Sequence, residues 1–196
     1  DAVIGCTPAF VAADLVRPLS PHAAGVLEGI PYASTATVSL AYEAQEVQGQ
    51  IEGFGFVVPR AEGRTLLAAT WTSLKWPHRA PPNQVLVRGY LGGTGREAVL
   101  QEDDLDLVAR VRTELAELAG VQGEPVHYEV SRWPQAMPQY LVGHVERMGA
   151  LTVALSRYPG LALAGAAYRG IGIPDCIREG TEAAKRILSA IGVRAA

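Results

Sequence analysis

The sequence contains little cysteine. Its 196 residues include only Cys6 and Cys176, too few for a disulfide framework or a cysteine-ligated zinc site. Such sparing use of cysteine is typical of proteins that work in a reducing cytoplasm. We therefore expect a cytoplasmic location and leave association with a membrane surface open.

The sequence also lacks a basic excess and long apolar runs. Lysine and arginine number 17 against 20 aspartate and glutamate residues, a formal net charge of -3. Because phosphate backbones are bound through clustered cations, we expect no nucleic-acid partner. No apolar stretch reaches the roughly 18 residues that a spanning helix needs, so no transmembrane segment is predicted. Hydrophobic residues still make up 48% of the chain, which excludes a disordered protein.

Several common catalytic motifs are missing. The chain has no Gly-x-Ser-x-Gly elbow, no Walker loop, no His-Glu-x-x-His pair and no Gly-x-Gly-x-x-Gly fingerprint. The histidines at 22, 78, 127 and 144 are too far apart for a metal motif, so no metal site is predicted. We expect His144 and Cys176 to be structural residues. No side chain is assigned a catalytic role.

Two kinds of pattern divide the chain. Short apolar strands followed by small residues and a helix occur near both ends, whereas the middle contains alternating strands typical of antiparallel sheets. This predicts an α/β protein in which segments 1–30 and 160–196 form one domain around an inserted domain at 31–159, α+β in character and mainly antiparallel. The apolar run at the first residues is typical of the middle of a domain, so we expect a fragment.

One helix is predicted at 103–119. Asp103, Asp104 and Asp106 stand at its start, where the helix dipole favours carboxylates, and Gly120 suits its C-terminal cap. The apolar residues at helical spacing are Leu105, Val108, Val111, Leu115 and Leu118.

A strand that runs into glycines and then into a helix is the strongest local signal. It covers residues 161–177, with glycine at 165, 170 and 172. Glycine allows a backbone to approach a flat ligand closely. A helix N-terminus offers unpaired N–H groups to a phosphate or to the electron-rich edge of a cofactor ring. A tight turn without a ligand has the same spacing, so both interpretations stay open.

A second signal is the strand Gly-Phe-Gly-Phe-Val-Val-Pro at 53–59. Glycine within a strand marks a bulge or the close approach of another group, and the two aromatics would suit the wall of a flat pocket. The alternative is a hairpin strand with core aromatics. Segment 73–81 carries cations suited to substrate carboxylates, or is a solvated loop. Two prolines in segment 133–144 predict an extended entry into a helix.

Four segments follow one another along the chain: Gly-Phe-Gly-Phe-Val-Val-Pro, Ser-Leu-Lys-Trp-Pro-His-Arg-Ala-Pro, Met-Pro-Gln-Tyr-Leu-Val-Gly-His and Leu-Ala-Gly-Ala-Ala-Tyr-Arg-Gly-Ile-Gly-Ile-Pro-Asp-Cys-Ile. Together they resemble the C-terminal part of the bacterial protoporphyrinogen/coproporphyrinogen oxidases, FAD enzymes of the amine-oxidase-like superfamily. The opening Asp-Ala-Val-Ile-Gly-Cys-Thr-Pro-Ala is similar to the strand by which chains of that family return to the FAD domain.

The resemblance implies a flavoenzyme of haem biosynthesis. FAD would take a hydride from coproporphyrinogen III or protoporphyrinogen IX, and molecular oxygen would reoxidise it. The family's ADP-binding turn is absent here, which implies that the N-terminal half of the same enzyme is a partner and that this portion alone is inactive. Segments 1–30 and 160–196 would belong to an FAD-binding Rossmann-like domain, and 31–159 would be the substrate-binding domain.

The resemblance also implies the site residues. Ala166 stands where many relatives have asparagine, which puts one polar cofactor contact in doubt. Coproporphyrinogen carries more propionates than protoporphyrinogen, so a pocket for it should contain extra cations. The candidates for the cofactor site are Gly165, Ala166, Gly170, Ile171, Gly172 and Ile173; for the substrate site Phe54, Gly55 and Val57; for the cations Lys75, Arg79, Arg88 and Arg169.

Two other functions stay open. One is a non-catalytic tetrapyrrole-binding module derived from such an oxidase, which would bind porphyrin without FAD. The other is a different amine-oxidase-like flavoenzyme, acting on an amine or a carotenoid. The Gly-Phe-Gly strand argues against the latter, as does the lack of a recognisable aromatic pair facing the flavin.

Overall fold

The chain folds into two compact units. A computed structural model describes residues 1–47 and 53–192. One unit comprises Asp1–Tyr32 and Pro138–Ala196, and the other comprises Ala33–Met137. Residues 48–52 and 193–196, which fall within the predicted ranges 31–159 and 160–196, lie outside the described residues.

The first unit is an α/β structure with a parallel strand pair. Strands β1 (Val3–Gly5) and β7 (Leu161–Leu163) pair so that Val3 lies opposite Leu161 and Gly5 opposite Leu163. Buried alanines at 9, 12, 13, 23 and 24 belong to a core cluster against which Leu161 and Leu163 pack. The unit also contains α1 (Ala9–Val16), α2 (Pro21–Glu28), α5 (His144–Leu155) and α6 (Ile173–Ala190).

The second unit contains a five-stranded sheet in the spatial order β3 (Gly55–Val57), β4 (Ala68–Trp71), β5 (Gln84–Gly92), β2 (Tyr32–Glu43) and β6 (His127–Pro138). The pairs β3–β4, β4–β5 and β5–β2 are antiparallel, as the alternating pattern predicted. The unit also contains α3 (Thr72–Lys75) and α4 (Asp104–Ala119).

Helix α4 covers one face of this sheet. Asp103 caps its start by accepting a hydrogen bond from the Asp106 N–H at 3.0 Å, and Gly120 ends it with a φ of 65°. The predicted helix at 103–119 is therefore confirmed, with Asp103 just outside it. The buried side is formed by Leu107, Val108, Val111 and Leu115, whereas Leu105 and Leu118 are exposed. The helix buries its apolar face against strand residues such as Val38, Leu40 and Val87.

The second predicted domain boundary differs from the structure. The compact units separate between Met137 and Pro138, not between residues 159 and 160. The reason is that α5 packs against α2: Met148 and Leu151 share a buried cluster with Leu27. The sequence pattern shows that α5 has an apolar face but not which unit covers it. The assignment of the units to an FAD domain and a substrate domain stays a prediction.

Within the described residues, none of the helices is long and apolar enough to cross a membrane.

Candidate functional site

Residues 165–172, which we call the glycine turn, lie at the carboxyl end of the parallel strand pair. β1 and β7 end side by side, and the N–H of Ala164 donates to the Gly5 carbonyl at 3.0 Å. The chain then passes through 165–172 into α6. In parallel sheets, ligands bind beyond the carboxyl ends of the strands. The predicted cofactor residues therefore occupy an edge where such a ligand would be expected.

Backbone geometry explains two of the turn's glycines. Gly165 has a φ of 135° and Gly170 a φ of 146°, values that other residues rarely adopt. A Cβ at Gly170 would come within 2.5 Å of the Asp175 side chain, so this glycine serves the fold of the turn. A Cβ at Gly165 would meet nothing within 4 Å. Gly165 therefore leaves one face of its backbone open.

Tyr140 holds the turn at two points. Its hydroxyl donates to the Ala166 carbonyl at 2.7 Å and accepts from the Gly170 N–H at 2.8 Å. Burial raises the pKa of Tyr140 above its usual range, so the hydroxyl stays protonated and able to donate. This residue lies in the segment 133–144 singled out above, but local pattern does not reveal that it spans the turn.

His144 supports the same arrangement. Its ring stacks on Tyr140 at a centroid distance of 3.8 Å, and its Nε2 lies 2.8 Å from the Tyr168 carbonyl oxygen. The side chain is buried. These contacts agree with the structural role predicted for His144. Cys176 is half-buried, with its Sγ 3.9 Å from the Gly170 carbonyl, whereas Cys6 is exposed.

The turn fits a flat, partly polar ligand. Ile171 and Ile173 are 59% and 77% exposed, an unusual arrangement for large apolar side chains beside an open backbone. The buried hydroxyls of Thr7 and Tyr168 have no hydrogen-bond partner among the described residues. Burial raises the pKa of Tyr168, so that hydroxyl remains a donor. A flat apolar ring would suit the exposed isoleucines, whereas the two hydroxyls are buried.

A cavity of about 230 Å³ lies between α5, β7 and α6. Its lining includes Leu151, Leu163 and the buried carboxyl group of Glu179, together with Arg169. Arg169 was one of four predicted substrate cations. It belongs to the first unit, whereas the predicted substrate residues Phe54, Gly55 and Val57 belong to the second.

The two aromatic residues of the predicted substrate strand lie in different environments. Phe56 packs edge-on against buried Trp71, with ring centroids 5.7 Å apart, whereas Phe54 is 62% exposed. Gly55 has a φ of 138°, and a Cβ there would lie 2.0 Å from the Ala69 carbonyl oxygen. The close approach predicted for this glycine is therefore that of the neighbouring strand. Phe56 belongs to the core, as the alternative interpretation held.

The sheet of the second unit has one face turned away from α4. Strand register places Gly55, Thr70, Arg88 and Ser39 in one row across four strands. The next row contains Val57, Ala68, Tyr90 and Thr37. We call these eight residues the open face. Two of the three predicted substrate residues, Gly55 and Val57, lie on it, and so does the predicted cation Arg88.

Two more of the predicted cations, Lys75 and Arg79, belong to the second unit. The Lys75 ammonium group is 4.6 Å from the centroid of the exposed Trp76 ring, and the Arg79 guanidinium is 6.0 Å from it. Both cations therefore lie near the same indole ring. In the part of the chain that the structure describes, no group of three or more side chains is placed to hold a metal ion.

Sequence reasoning missed several polar residues of these sites. The hydroxyls of Ser39 and Thr70 hydrogen-bond with Arg88 and Tyr90 at 3.3 and 3.5 Å, respectively. The alternation of hydroxyl-bearing and apolar residues along β2 could have indicated Ser39, because it predicts one polar face of the strand. The alternation does not reveal which other strands contribute to that face.

Known structures identify the class of fold. The chain superposes on putrescine oxidase with a TM-score of 0.68 at 15% identity, covering 96% of this chain and 42% of that one. It superposes on reduced UDP-galactopyranose mutase with a TM-score of 0.67 at 11% identity, covering 100% of this chain and 43% of that one. The chain therefore has the fold of amine-oxidase-like proteins.

The family follows from the sequence. Residues 1–188 match the family of flavin containing amine oxidoreductases, and the chain belongs to that family. This confirms the predicted oxidoreductase class and a flavin as the cofactor of the family.

Two similar proteins are named as porphyrinogen oxidases. The chain is 40% identical over 189 residues to coproporphyrinogen III oxidase of Bacillus subtilis (strain 168), covering 90% of this chain and 40% of the relative. It is 33% identical over 193 residues to protoporphyrinogen oxidase 1, chloroplastic, of Arabidopsis thaliana, covering 93% of this chain and 36% of the relative.

A solved structure agrees with these relatives. The crystal structure of an Exiguobacterium sp. 255-15 protein that carries the name protoporphyrinogen oxidase superposes with a TM-score of 0.81 at 32% identity. The match covers 98% of this chain and 40% of that chain. The chain thus spans well under half the length of these proteins. That it corresponds to their C-terminal half stays a prediction.

Proposed function

We propose that this chain is the C-terminal portion of a flavin-dependent porphyrinogen oxidase that acts on coproporphyrinogen III. The observation that carries the proposal is the 40% identity to a coproporphyrinogen III oxidase over 189 residues. Protoporphyrinogen IX is the alternative substrate, because several relatives are named for it. The reaction is the stepwise oxidation of a porphyrinogen to the aromatic porphyrin, with molecular oxygen as final electron acceptor.

The glycine turn is the proposed contact with the flavin, which supplies the two-electron acceptor for each oxidation. The open backbone at Gly165 admits a ring at close range. The N-terminus of α6, which begins at Ile173, contributes a partial positive charge that favours an electron-rich ring edge. Tyr140 keeps Ala166 and Gly170 in place. The predicted contacts of Gly165, Ala166, Gly170, Ile171, Gly172 and Ile173 with the cofactor belong to this proposal.

Phe54, Gly55 and Val57 are the proposed substrate contacts of the second unit. Phe54 and Val57 are 62% and 79% exposed, so their apolar surface is available to a flat macrocycle. No side chain of this chain is proposed as a general acid or base. Its role is to bind and orient, which suits a reaction that depends on placement of a substrate carbon against a cofactor ring.

The test uses the complete enzyme containing this chain, loaded with flavin. Coproporphyrinogen III and protoporphyrinogen IX are offered separately under air, and the growth of porphyrin fluorescence is followed together with hydrogen peroxide. We expect oxidation of both above the autoxidation rate, with coproporphyrinogen III faster. Flavin-loaded enzyme that oxidises neither would refute the proposal. Tight porphyrin binding in the absence of flavin would then favour the non-catalytic module.

A pair of variants tests the assignment of the turn. Gly165→Ala introduces strain at a φ of 135° and adds a methyl group on the open backbone face. Gly180→Ala, within α6, adds a methyl group with nothing within 4 Å and no positive φ. We expect a lower flavin content in the first variant and an unchanged content in the second. Equal flavin content in both would contradict the assignment of the turn.

A further inference from the structure

The open face contains an arginine without a carboxylate partner. The Nε of Arg88 donates to the Ser39 hydroxyl at 3.3 Å. Among residues 1–47 and 53–192, no carboxylate forms an ion pair with Arg88, and neither of its Nη atoms has a hydrogen-bond partner. Arg88 is only partly exposed. A guanidinium with unpaired N–H groups favours an anionic partner, since its hydrogen bonds to a carboxylate are charge-assisted.

Other arginines of the second unit are arranged differently. Four of them contact carboxylates: Arg64 with Glu117, Arg110 with Glu102, Arg112 with Glu124, and Arg132 with Asp104. Arg96 donates to two backbone carbonyls, those of Arg60 and Arg64. Each of these guanidinium groups has a partner within the unit. Arg60 and Arg79 also have no carboxylate partner among the described residues, but both are exposed. Arg88 differs from them because it is partly buried on the sheet while its Nη groups are available to a ligand.

The surroundings of Arg88 define the chemistry of that ligand. Gly55 lies two strands away in the same row, a separation of about 10 Å at the usual strand spacing. Small and hydroxyl-bearing residues occupy the surface between them, leaving a flat area with hydrogen-bonding groups. Glu43, also on β2, is held by the side chains of Asn83 and Gln84 at 3.2 and 3.0 Å. The face therefore presents one open cation beside an uncharged, flat surface.

We propose that Arg88 binds a propionate carboxylate of the porphyrinogen while the macrocycle lies along the open face. The inference rests on the function proposed above and adds the residue that recognises the substrate's charge. A guanidinium matches a carboxylate with two parallel hydrogen bonds, which fixes orientation as well as position. Because Nε is held by Ser39, the two Nη groups are presented in a defined direction. Arg88 is thus a specificity-determining residue and not a catalytic one.

The test compares a charged porphyrin with its uncharged analogue. Coproporphyrin III and its tetramethyl ester are titrated onto the complete, flavin-loaded enzyme, with quenching of intrinsic protein fluorescence as readout. Arg88→Gln removes the charge, and Arg88→Lys keeps it without the fork. Arg60→Gln removes an exposed arginine of the same unit and is the matched control. Flavin content is measured for each variant to verify that it folds.

We expect Arg88→Gln to weaken coproporphyrin III binding about tenfold or more, as for loss of a charge-assisted hydrogen bond, and to leave the ester unchanged. Arg88→Lys should be intermediate, and Arg60→Gln should resemble the wild type. In turnover, Arg88→Gln should raise KM for coproporphyrinogen III more than it lowers kcat. Equal affinity of Arg88→Gln and wild type for coproporphyrin III would overturn the inference.

Failure of the two proposals can be told apart. The binding titration needs no turnover, so it tests Arg88 even if the enzyme oxidises neither porphyrinogen. An enzyme that oxidises porphyrinogens, but whose Arg88 variants bind acid and ester like the wild type, would refute the role of Arg88 alone.

Discussion

Removing the Tyr140 hydroxyl tests how the glycine turn is held. Tyr140→Phe deletes one oxygen but keeps the ring that stacks on His144. The change removes the bond to the Ala166 carbonyl at 2.7 Å and leaves the Gly170 N–H without its acceptor at 2.8 Å. No other contact of the turn is altered directly.

The size of the effect follows from these two bonds and from exposure. A hydrogen bond contributes a net of about 1 kcal/mol, so two would contribute about 2 kcal/mol if fully buried. Tyr140 is 40% exposed, and water can replace part of each bond. We therefore expect a loss of about 1 kcal/mol of turn stability, or roughly a fivefold increase in the flavin Kd if the turn must be ordered to bind.

Two measurements distinguish the loss of the Tyr140 hydrogen bonds from its effect on flavin binding. Amide hydrogen exchange should show faster exchange at Gly170 in Tyr140→Phe than in the wild type. Reconstitution of the flavin-free complete enzyme, followed by flavin fluorescence, gives the Kd. Tyr128→Phe is the matched control, because Tyr128 is 41% exposed and its hydroxyl makes no hydrogen bond within the described chain.

Two outcomes would contradict these expectations. Faster exchange at Gly170 with an unchanged flavin Kd would show that the turn is held by Tyr140 but does not contact the cofactor. Unchanged exchange would refute the structural role itself.

Two further predictions concern stability. Gly55→Ala places a Cβ 2.0 Å from the Ala69 carbonyl oxygen, so it should lower the thermal stability of the complete enzyme. Gly25→Ala is the control, because a Cβ at this position of α2 would meet nothing within 4 Å. Its thermal stability should equal or exceed that of the wild type. Burial raises the pKa of Tyr42 from 10.0 to about 12, so stability should be complete below pH 10 and fall as the pH rises towards 12, because the unfolded chain ionises first. Denaturation followed against pH should show less of this loss in Tyr42→Phe; an unchanged profile would contradict it.

Some features could be predicted from the sequence because they depend on local forces. The helix at 104–119 has its cap, its acidic first turn and its C-terminal glycine within one segment, and each of these acts on neighbouring residues. The glycine turn at 165–172 is also local, since a strand, glycines with positive φ and a helix start follow one another. The antiparallel middle was visible in the alternation along β2.

Tertiary structure decided which segments meet. The α5 helix was recognisable, but only packing against α2 placed it in the first unit. Tyr140 lies 26 residues from Ala166 and 30 from Gly170, so its contacts with the turn depend on the path of the intervening chain. Strand register alone brought Arg88 into the row of Gly55. Neighbouring residues set the local conformations and the composition of each face. The two candidate sites depend on long-range packing, which no local pattern encodes.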